Sequence, residues 1–498
     1  MLARLRTATI VGIEAIRVDV EVEVVDIGMP HFGIVGLPDA SVRESRDRVR
    51  AAIRNSGFRF PRHKVIISLS PADLRKAGAA FDLPIAIGIL AASGHIQRQH
   101  FGDWLFLGEL GLNGAVLPAR GVLPVAVHAR RADVSSLMLP AMNAPEAAVV
   151  GGVGLFPARC LAEAAAIVDG HAVPVPVAAP PHAPSLVTAP DLADVRGQSL
   201  ARRALEIAAA GAHHLLLSGP PGAGKTMMAR RLPGILPPLD DDAAMEVTAI
   251  QSVAGVLPPG ASLVRVPPFR APHHTISDAA LVGGGSNPRP GEISLAHEGV
   301  LFLDELPEFS RRALEVLRQP LEEGSVSIAR AARSVRFPAR FALVAAMNPC
   351  PCGFHGDGTG RCRCTPLMQV QYSSKLSGPL RDRIDLAVDV AALPISQLAG
   401  GVGGEPSAAV RARVLAAREC QRLRGVLNAR LDGPALVDAC ALDDGAWQLL
   451  EKAGTKLGLS ARGVNRVRKI ARTIADLAGE DAVRWDHIAE ALQFRMLQ

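Results

Sequence analysis

Near the middle of the chain, eight residues stand in an order suited to phosphate chemistry: Gly219-Pro220-Pro221-Gly222-Ala223-Gly224-Lys225-Thr226. An apolar run at 215–217 precedes them and reads as a short buried strand, and residues 227–232 read as the start of a helix. Strand, G-x-x-x-x-G-K-T and helix together are the full context of a phosphate-binding loop. The glycines let backbone N–H groups turn inward around an anion, and the helix start adds partial positive charge. Lys225 is then placed for the β- and γ-phosphates of ATP, and the Thr226 hydroxyl for Mg2+. Farther on, an apolar run at 299–303 ends in Asp304 and Glu305. This order suits a carboxylate in the Mg2+ shell (Asp304) followed by a general base for an attacking water (Glu305). A third apolar run, 341–347, ends at Asn348, an amide at a strand tip suited to orienting that water.

Other groups carry chemistry outside this set. Four of the seven cysteines crowd together as Cys350-Pro351-Cys352 and Cys362-Arg363-Cys364. Two C-x-C pairs across a Gly-rich loop supply enough thiolates for a tetrahedral Zn2+ site; free thiols and a redox switch are the alternatives. His355, inside the loop, offers a substitute ligand. Two β-rich arms, 326–330 and 333–337, flank Ala331-Ala332 and form a hairpin with Arg330 and Arg333 near its tip. Such arginines suit contact with DNA phosphates, without sequence readout; a solvated hairpin is the other reading. A long Gly- and Pro-rich segment, 246–298, holds Arg265, Arg270, His273, His274 and Arg289, and its histidines read as structural or capping. Residues 460–477 have helical spacing, with Arg462, Arg466, Lys469 and Arg472 largely off the apolar face. Arg466 and Arg472 read there as a solvated basic surface.

Elements must position these groups, and composition bounds them. A chain of 498 residues implies several domains, and 49 % hydrophobic residues allow large cores. No apolar run approaches the ~18–20 residues of a membrane span, and the first residues lack the pattern of a signal peptide. The expectation is therefore a cytoplasmic protein without membrane contact. A net charge of +6 permits nucleic acid without arguing for it. Residues 18–24 alternate apolar and acidic as a half-exposed strand, 41–56 read as a surface helix, 65–69 as a strand and 83–92 as an apolar helix. These make residues 1–170 an α/β unit with no phosphate loop of its own. A Pro-rich linker follows at 171–190. Residues 191–395 form the α/β core with a parallel sheet around the phosphate loop, and 396–498 a mobile Gly-rich entry and an α-helical lid.

Three segments, 64–73, 81–86 and 108–114, resemble the Lon-protease-like domain. In those proteases a Ser nucleophile precedes the Asp-Leu helix and a Lys base lies in a later one. Here 76–81 has no hydroxyl and 121–126 no lysine. A Ser–Lys mechanism needs both, so the resemblance implies a scaffold or docking module. The stretches Arg270-Ala271-Pro272-His273-His274-Thr275, Gly283-Gly284-Gly285, 288–297 and 300–309 are similar to the Mg-chelatase-like AAA+ ATPases, ComM/YifB type, and the resemblance runs over nearly the whole chain. It implies an AAA+ core fused to the Lon-like domain, a homo-hexameric ring and ATP hydrolysis between subunits. It further implies a DNA motor, a branch-migration helicase on single-stranded or branched DNA in recombination during natural transformation, with recombination proteins as partners. The second function left open is the ATPase subunit of a metal-chelatase-type remodelling complex, which shares the core but typically lacks the Lon-like domain. Arg383, within Ser377-Gly378-Pro379-Leu380-Arg381-Asp382-Arg383, matches the arginine finger that reaches a neighbour's γ-phosphate. Arg381 replaces a customary apolar residue, so either guanidinium would serve; a salt bridge of Arg383 to Asp382 or Asp385 is the competing reading. Ser460-Ala461-Arg462 matches the second sensor.

Overall fold

The alternation at 18–24 becomes the strand Glu14–Val25, with Val18, Val20, Val22 and Val24 turned inward. A computed structural model describes residues 1–25, 29–62, 64–98, 100–173, 177, 189–258, 260–285, 287–330, 333–358, 360–393 and 403–495. Most of the Pro-rich linker and of the Gly-rich stretch near 400 falls outside these. Glu14–Val25 pairs antiparallel with Leu2–Val11 and Lys64–Ser70, and His31–Val35 closes the four-stranded sheet. The helix Ala40–Asn55 starts where the Asp39 side chain accepts from Val42 N. The helix Asp82–Ala92 is buried on nearly every side, which explains its unbroken apolar reading. Its first residue, Asp82, is a buried carboxylate held by Arg48 Nε at 2.7 Å and by Leu110 N at 3.2 Å. A three-stranded parallel sheet, Trp104–Phe106, Ser136–Pro140 and Gly154–Ala158, completes this α/β unit.

The second unit is a five-stranded sheet in the order Phe269–Arg270, Val300–Leu303, Ala342–Met347, Leu215–Ser218, Leu386–Asp389, every pair parallel. Val300–Leu303 and Ala342–Met347 are buried throughout, as expected of strands covered on both faces. Because the strands run together, Ser218, Leu303 and Met347 all leave at one edge of the sheet. The phosphate loop, Asp304 and Asn348 therefore emerge side by side, at the carboxyl ends where open α/β sheets bind ligands.

The hairpin forms as read, Ser325–Arg330 against Arg333–Pro338, with Arg330 paired to Arg333 at its end. The side chains of Arg330 and Arg333 lie outside the described residues. Val11 and Ile13 from the first turn of the chain pack on the cluster containing Ile328, Val335 and Phe337. The first unit also docks through the helix Val122–Arg131: Val122, Val125 and Ala126 meet Met245 and Ala249 of the helix Asp241–Ala254. That helix shows the segment from 246 onward to be partly regular.

The C-terminal helices Ser407–Arg424, Asp444–Lys456, Ala461–Ala478 and Trp485–Gln493 form the lid. Here the expectation of a solvated basic face is wrong. Arg472 is 2 % exposed and bound to Asp476 and to the carbonyls of Glu480 and Asp481. Arg466 donates to Ile384 O at 2.7 Å and faces Asp382. Neighbouring segments cover the helix on sides that its apolar stripe does not mark. Among the described residues no helix is long and apolar enough to cross a membrane.

Candidate functional site

Glycine is required where the chain leaves the strand Leu215–Ser218: a Cβ on Gly219 would stand 2.2 Å from Val390 O. Gly222 and Gly224 take φ of +80° and +91°, the left-handed region that side chains avoid. This turn folds the loop over Lys225, which is 8 % exposed. Its Nζ donates to Gly219 O at 2.6 Å, Pro220 O at 2.9 Å and Asn348 Oδ1 at 3.1 Å. Burial lowers the Lys225 pKa, while Asp304 and Glu305 oppose that shift. The ammonium is thus held among three oxygens with two acids nearby.

Thr226 Oγ1 donates to Asp304 Oδ2 at 2.6 Å, and Glu305 N donates to Asp304 Oδ1 at 3.0 Å. A hydroxyl and a carboxylate in contact are hard oxygen donors, the set that suits Mg2+. Glu305 has φ +53°, and its side chain is 56 % exposed. Its Oε2 lies 3.4 Å from His274 Nδ1. The His274 ring is held against His273, centroids 4.1 Å apart, and edge-on to Phe309 at 6.4 Å. The sequence reads both histidines as structural or capping. Nothing in their local spacing points to Glu305, 31 positions later; only the segment's path over the sheet edge brings His274 there. Two arginines of that segment are absorbed by acids: Arg270 by Glu292 at 2.6 Å and Arg265 by Asp241 at 2.6 Å.

Arg383 stands elsewhere. It pairs with Glu322 and donates to Pro379 O, so neither Asp382 nor Asp385 is its partner; Asp385 instead faces His213 and accepts from His214 N. Burial lowers the Arg383 pKa, and the nearby charges of Arg318 and Arg462 push the same way. Among the described residues the partners of Arg383 are Glu322 and Pro379, and none of Lys225, Thr226 and Asp304 is among them. Arg381 donates to Ser373 O at 2.5 Å.

The cysteines do converge. The sulfurs of Cys350, Cys352, Cys362 and Cys364 all lie within 4.8 Å of one another, and none is in a disulfide. Backbone N–H groups of Phe354 and Arg363 hold the Cys352 thiol down at about 6. His355 faces Gln369 at 3.1 Å instead of joining the cluster.

Comparison with known proteins agrees over the length of the chain. The family model "Magnesium chelatase, subunit ChlI" matches residues 191–398, "Subunit ChlI of Mg-chelatase" matches 20–143, and "Magnesium chelatase, subunit ChlI C-terminal" matches 404–495. The chain is 46 % identical over 494 residues to the competence protein ComM of Haemophilus influenzae, covering 98 % of this chain and 96 % of that one. It is 44 % identical over 507 residues to the uncharacterized protein YifB of Salmonella typhimurium, covering 100 % and 97 %. The uncharacterized protein Rv2897c of Mycobacterium tuberculosis is also 44 % identical, with coverage of 99 % and 98 %.

Proposed function

The chain belongs to the Mg-chelatase-like AAA+ family of the ComM/YifB type, and from that premise we propose that it is an ATP-driven DNA motor, a branch-migration helicase working as a homo-hexameric ring. The observation that carries the ATPase reading is the meeting of Lys225, Thr226, Asp304 and Asn348 at one sheet edge. In this reading Lys225 leaves the carbonyls of Gly219 and Pro220 to bind the β- and γ-phosphates, wrapped by the backbone of residues 219–226. Thr226 and Asp304 hold Mg2+, which when bound offsets phosphate charge. Glu305 takes the proton of the attacking water, with His274 steadying its carboxylate, and Asn348 orients that water. Arg383 comes from the neighbouring subunit and stabilises charge developing on the γ-phosphate, and Arg462 is the second sensor on the lid that closes over nucleotide.

The DNA half rests on the competence-protein name of one relative, on the Lon-like unit and on the hairpin. Arg330 and Arg333 would meet the phosphates of single-stranded or branched DNA inside the ring. Recombination proteins are the partners this role requires, and the cytoplasm its place. We also propose a structural Zn2+ in the cysteine loop, and the division 1–170, 171–190, 191–395 and 396–498 as functional units.

A second reading, the ATPase subunit of a metal-chelatase-type complex, is favoured by the names of the matching family models. ATP turnover of the purified protein, measured alone and with single-stranded, duplex and branched DNA, separates the two. The motor reading expects stimulation, strongest on branched DNA. Turnover indifferent to every DNA would remove it and leave the chelatase-type reading.

A further inference from the structure

A tetrahedron of thiolates at the Zn–S distance of about 2.3 Å has edges of about 3.8 Å. The Sγ atoms of Cys350 and Cys362 are 3.8 Å apart, those of Cys352 and Cys362 3.7 Å, and those of Cys350 and Cys352 3.4 Å. A disulfide would bring two of them to about 2 Å, and an iron–sulfur cluster would spread them over separate irons. A single soft tetrahedral ion fits, and four protein thiolates close its coordination.

Within the loop between the cysteine pairs, Arg361 pairs with the buried Asp357 carboxylate at 3.1 Å, and His355 faces Gln369. Gly353, Gly356, Gly358 and Gly360 all take left-handed φ, and among the described residues of 353–361 only Gly353 is buried as a whole. Ordering so many glycines is costly in entropy. A stack of Arg361 on Phe354 at 4.4 Å is a small return. Metal binding is the interaction large enough to offset it.

What the loop touches gives the ion a consequence. Gly353 lies on the phosphate loop: a Cβ there would stand 2.6 Å from Pro221 Cδ, 2.7 Å from Pro221 Cγ and 3.7 Å from Asn348 Cγ. One end of the loop leaves from Asn348, the acceptor for Lys225. At the other end Thr365 Oγ1 accepts from Met368 N at 3.3 Å and starts the helix Pro366–Ser374. That helix buries Tyr372. The loop thus starts from Asn348 and, at Gly353, rests on Pro221.

We propose that Cys350, Cys352, Cys362 and Cys364 bind one Zn2+, and that the metal-loaded loop is the wall holding Pro221 and Asn348 in their nucleotide-binding positions. Metal loading then sets affinity for nucleotide. The inference rests on the ATPase reading above.

The test uses the full chain and a fluorescent ATP analogue. Zinc analysis of reduced protein should give about one ion per chain. Stripping with an organomercurial and chelator, then removing the mercurial with excess thiol, should weaken analogue binding about tenfold or more. Added Zn2+ should restore it. Gly353→Ala should keep its zinc yet bind the analogue as weakly as the stripped protein, because its Cβ displaces Pro221. That variant separates the contact from any unfolding in Cys362→Ser. Absence of zinc, affinity unchanged by stripping, or wild-type affinity in Gly353→Ala would each overturn the inference while leaving the ATPase reading standing. Zinc-loaded wild-type protein that binds no analogue would overturn both.

Discussion

Exchanging Arg383 for alanine tests the ring through a position fixed by strand register. Arg383 stands three residues before the strand Leu386–Asp389, whose first residue lies beside Leu215 in the parallel pairing. Asp385 N and Leu386 N both donate to His214 O, at 3.1 and 2.9 Å. The guanidinium is therefore at the edge where the chain enters the sheet, and the phosphate loop leaves from the other. Four strand residues put about 13 Å between these edges, and the side chain is already bound to Glu322 and Pro379 of its own chain. If Arg383 acts on a nucleotide, as proposed, that nucleotide is a neighbour's. Arg383→Ala should keep ATP binding and lose about a thousandfold or more in kcat, a barrier increase of about 4 kcal/mol. Folding should hold, because removing Arg383, itself 10 % exposed, leaves behind the Glu322 carboxylate, which is half exposed and stays hydrated. Lys225→Ala should be inactive for the opposite reason. In a head-to-tail ring mixed from equal parts of these two inactive variants, about one interface in four joins an intact loop to an intact finger. Turnover should then recover to about a quarter of wild type. No recovery, in mixtures shown by energy transfer to contain both variants in one ring, would refute action between subunits. Full activity of Arg383→Ala beside an inactive Arg381→Ala would move the finger to Arg381.

Glu305→Gln should bind ATP and turn over about a hundredfold or more slowly, with His274→Ala showing a smaller loss; wild-type turnover in Glu305→Gln would exclude the carboxylate as base. Replacing Arg330 and Arg333 together by alanine should remove DNA stimulation, spare basal turnover, and flatten the salt dependence of DNA binding by about one unit of slope per contact; full stimulation would send the DNA contact elsewhere. Asp476→Ala leaves buried Arg472 and part-buried Arg424 without their carboxylate, so the lid should lose about 3–5 kcal/mol in denaturant unfolding, and unchanged stability would show the pair to be weak. Burial alone would raise the pKa of Asp385, but His213 and His214 hold it at about 2 against an ordinary 3.8. A depressed carboxylate stabilises the fold above its unfolded pKa and loses that contribution as pH falls through its folded one; the stability gap between wild type and Asp385→Asn should therefore narrow as pH falls from 4 toward 2, and a gap that persisted would exclude this linkage.

Features carried by local order were legible before any coordinates. Strand, loop and helix around Lys225, the alternation ending at Val24, and the two arms about Ala331-Ala332 are short-range patterns set by backbone and burial periodicity. The three central strands were legible too, because strands buried on both faces read as unbroken apolar runs. The partners of charges were not. Arg383 has acids one and two positions away, and pairs with Glu322, 61 residues distant. Arg472 lies off the apolar stripe of its helix yet is among the most buried large side chains, because Glu480 and Asp481 fold back over it. Helical spacing states which side of a helix is apolar; it says nothing of how many sides neighbours cover. His274 and Gly353 fall in the same class, since each acts through a contact with a different strand end, at Glu305 and at Pro221. A parallel sheet gathers its strand ends at one edge, so the loops that cross that edge meet residues remote in sequence. Long-range contacts therefore concentrate where the nucleotide is expected to bind, and the candidate site is where local pattern falls furthest short.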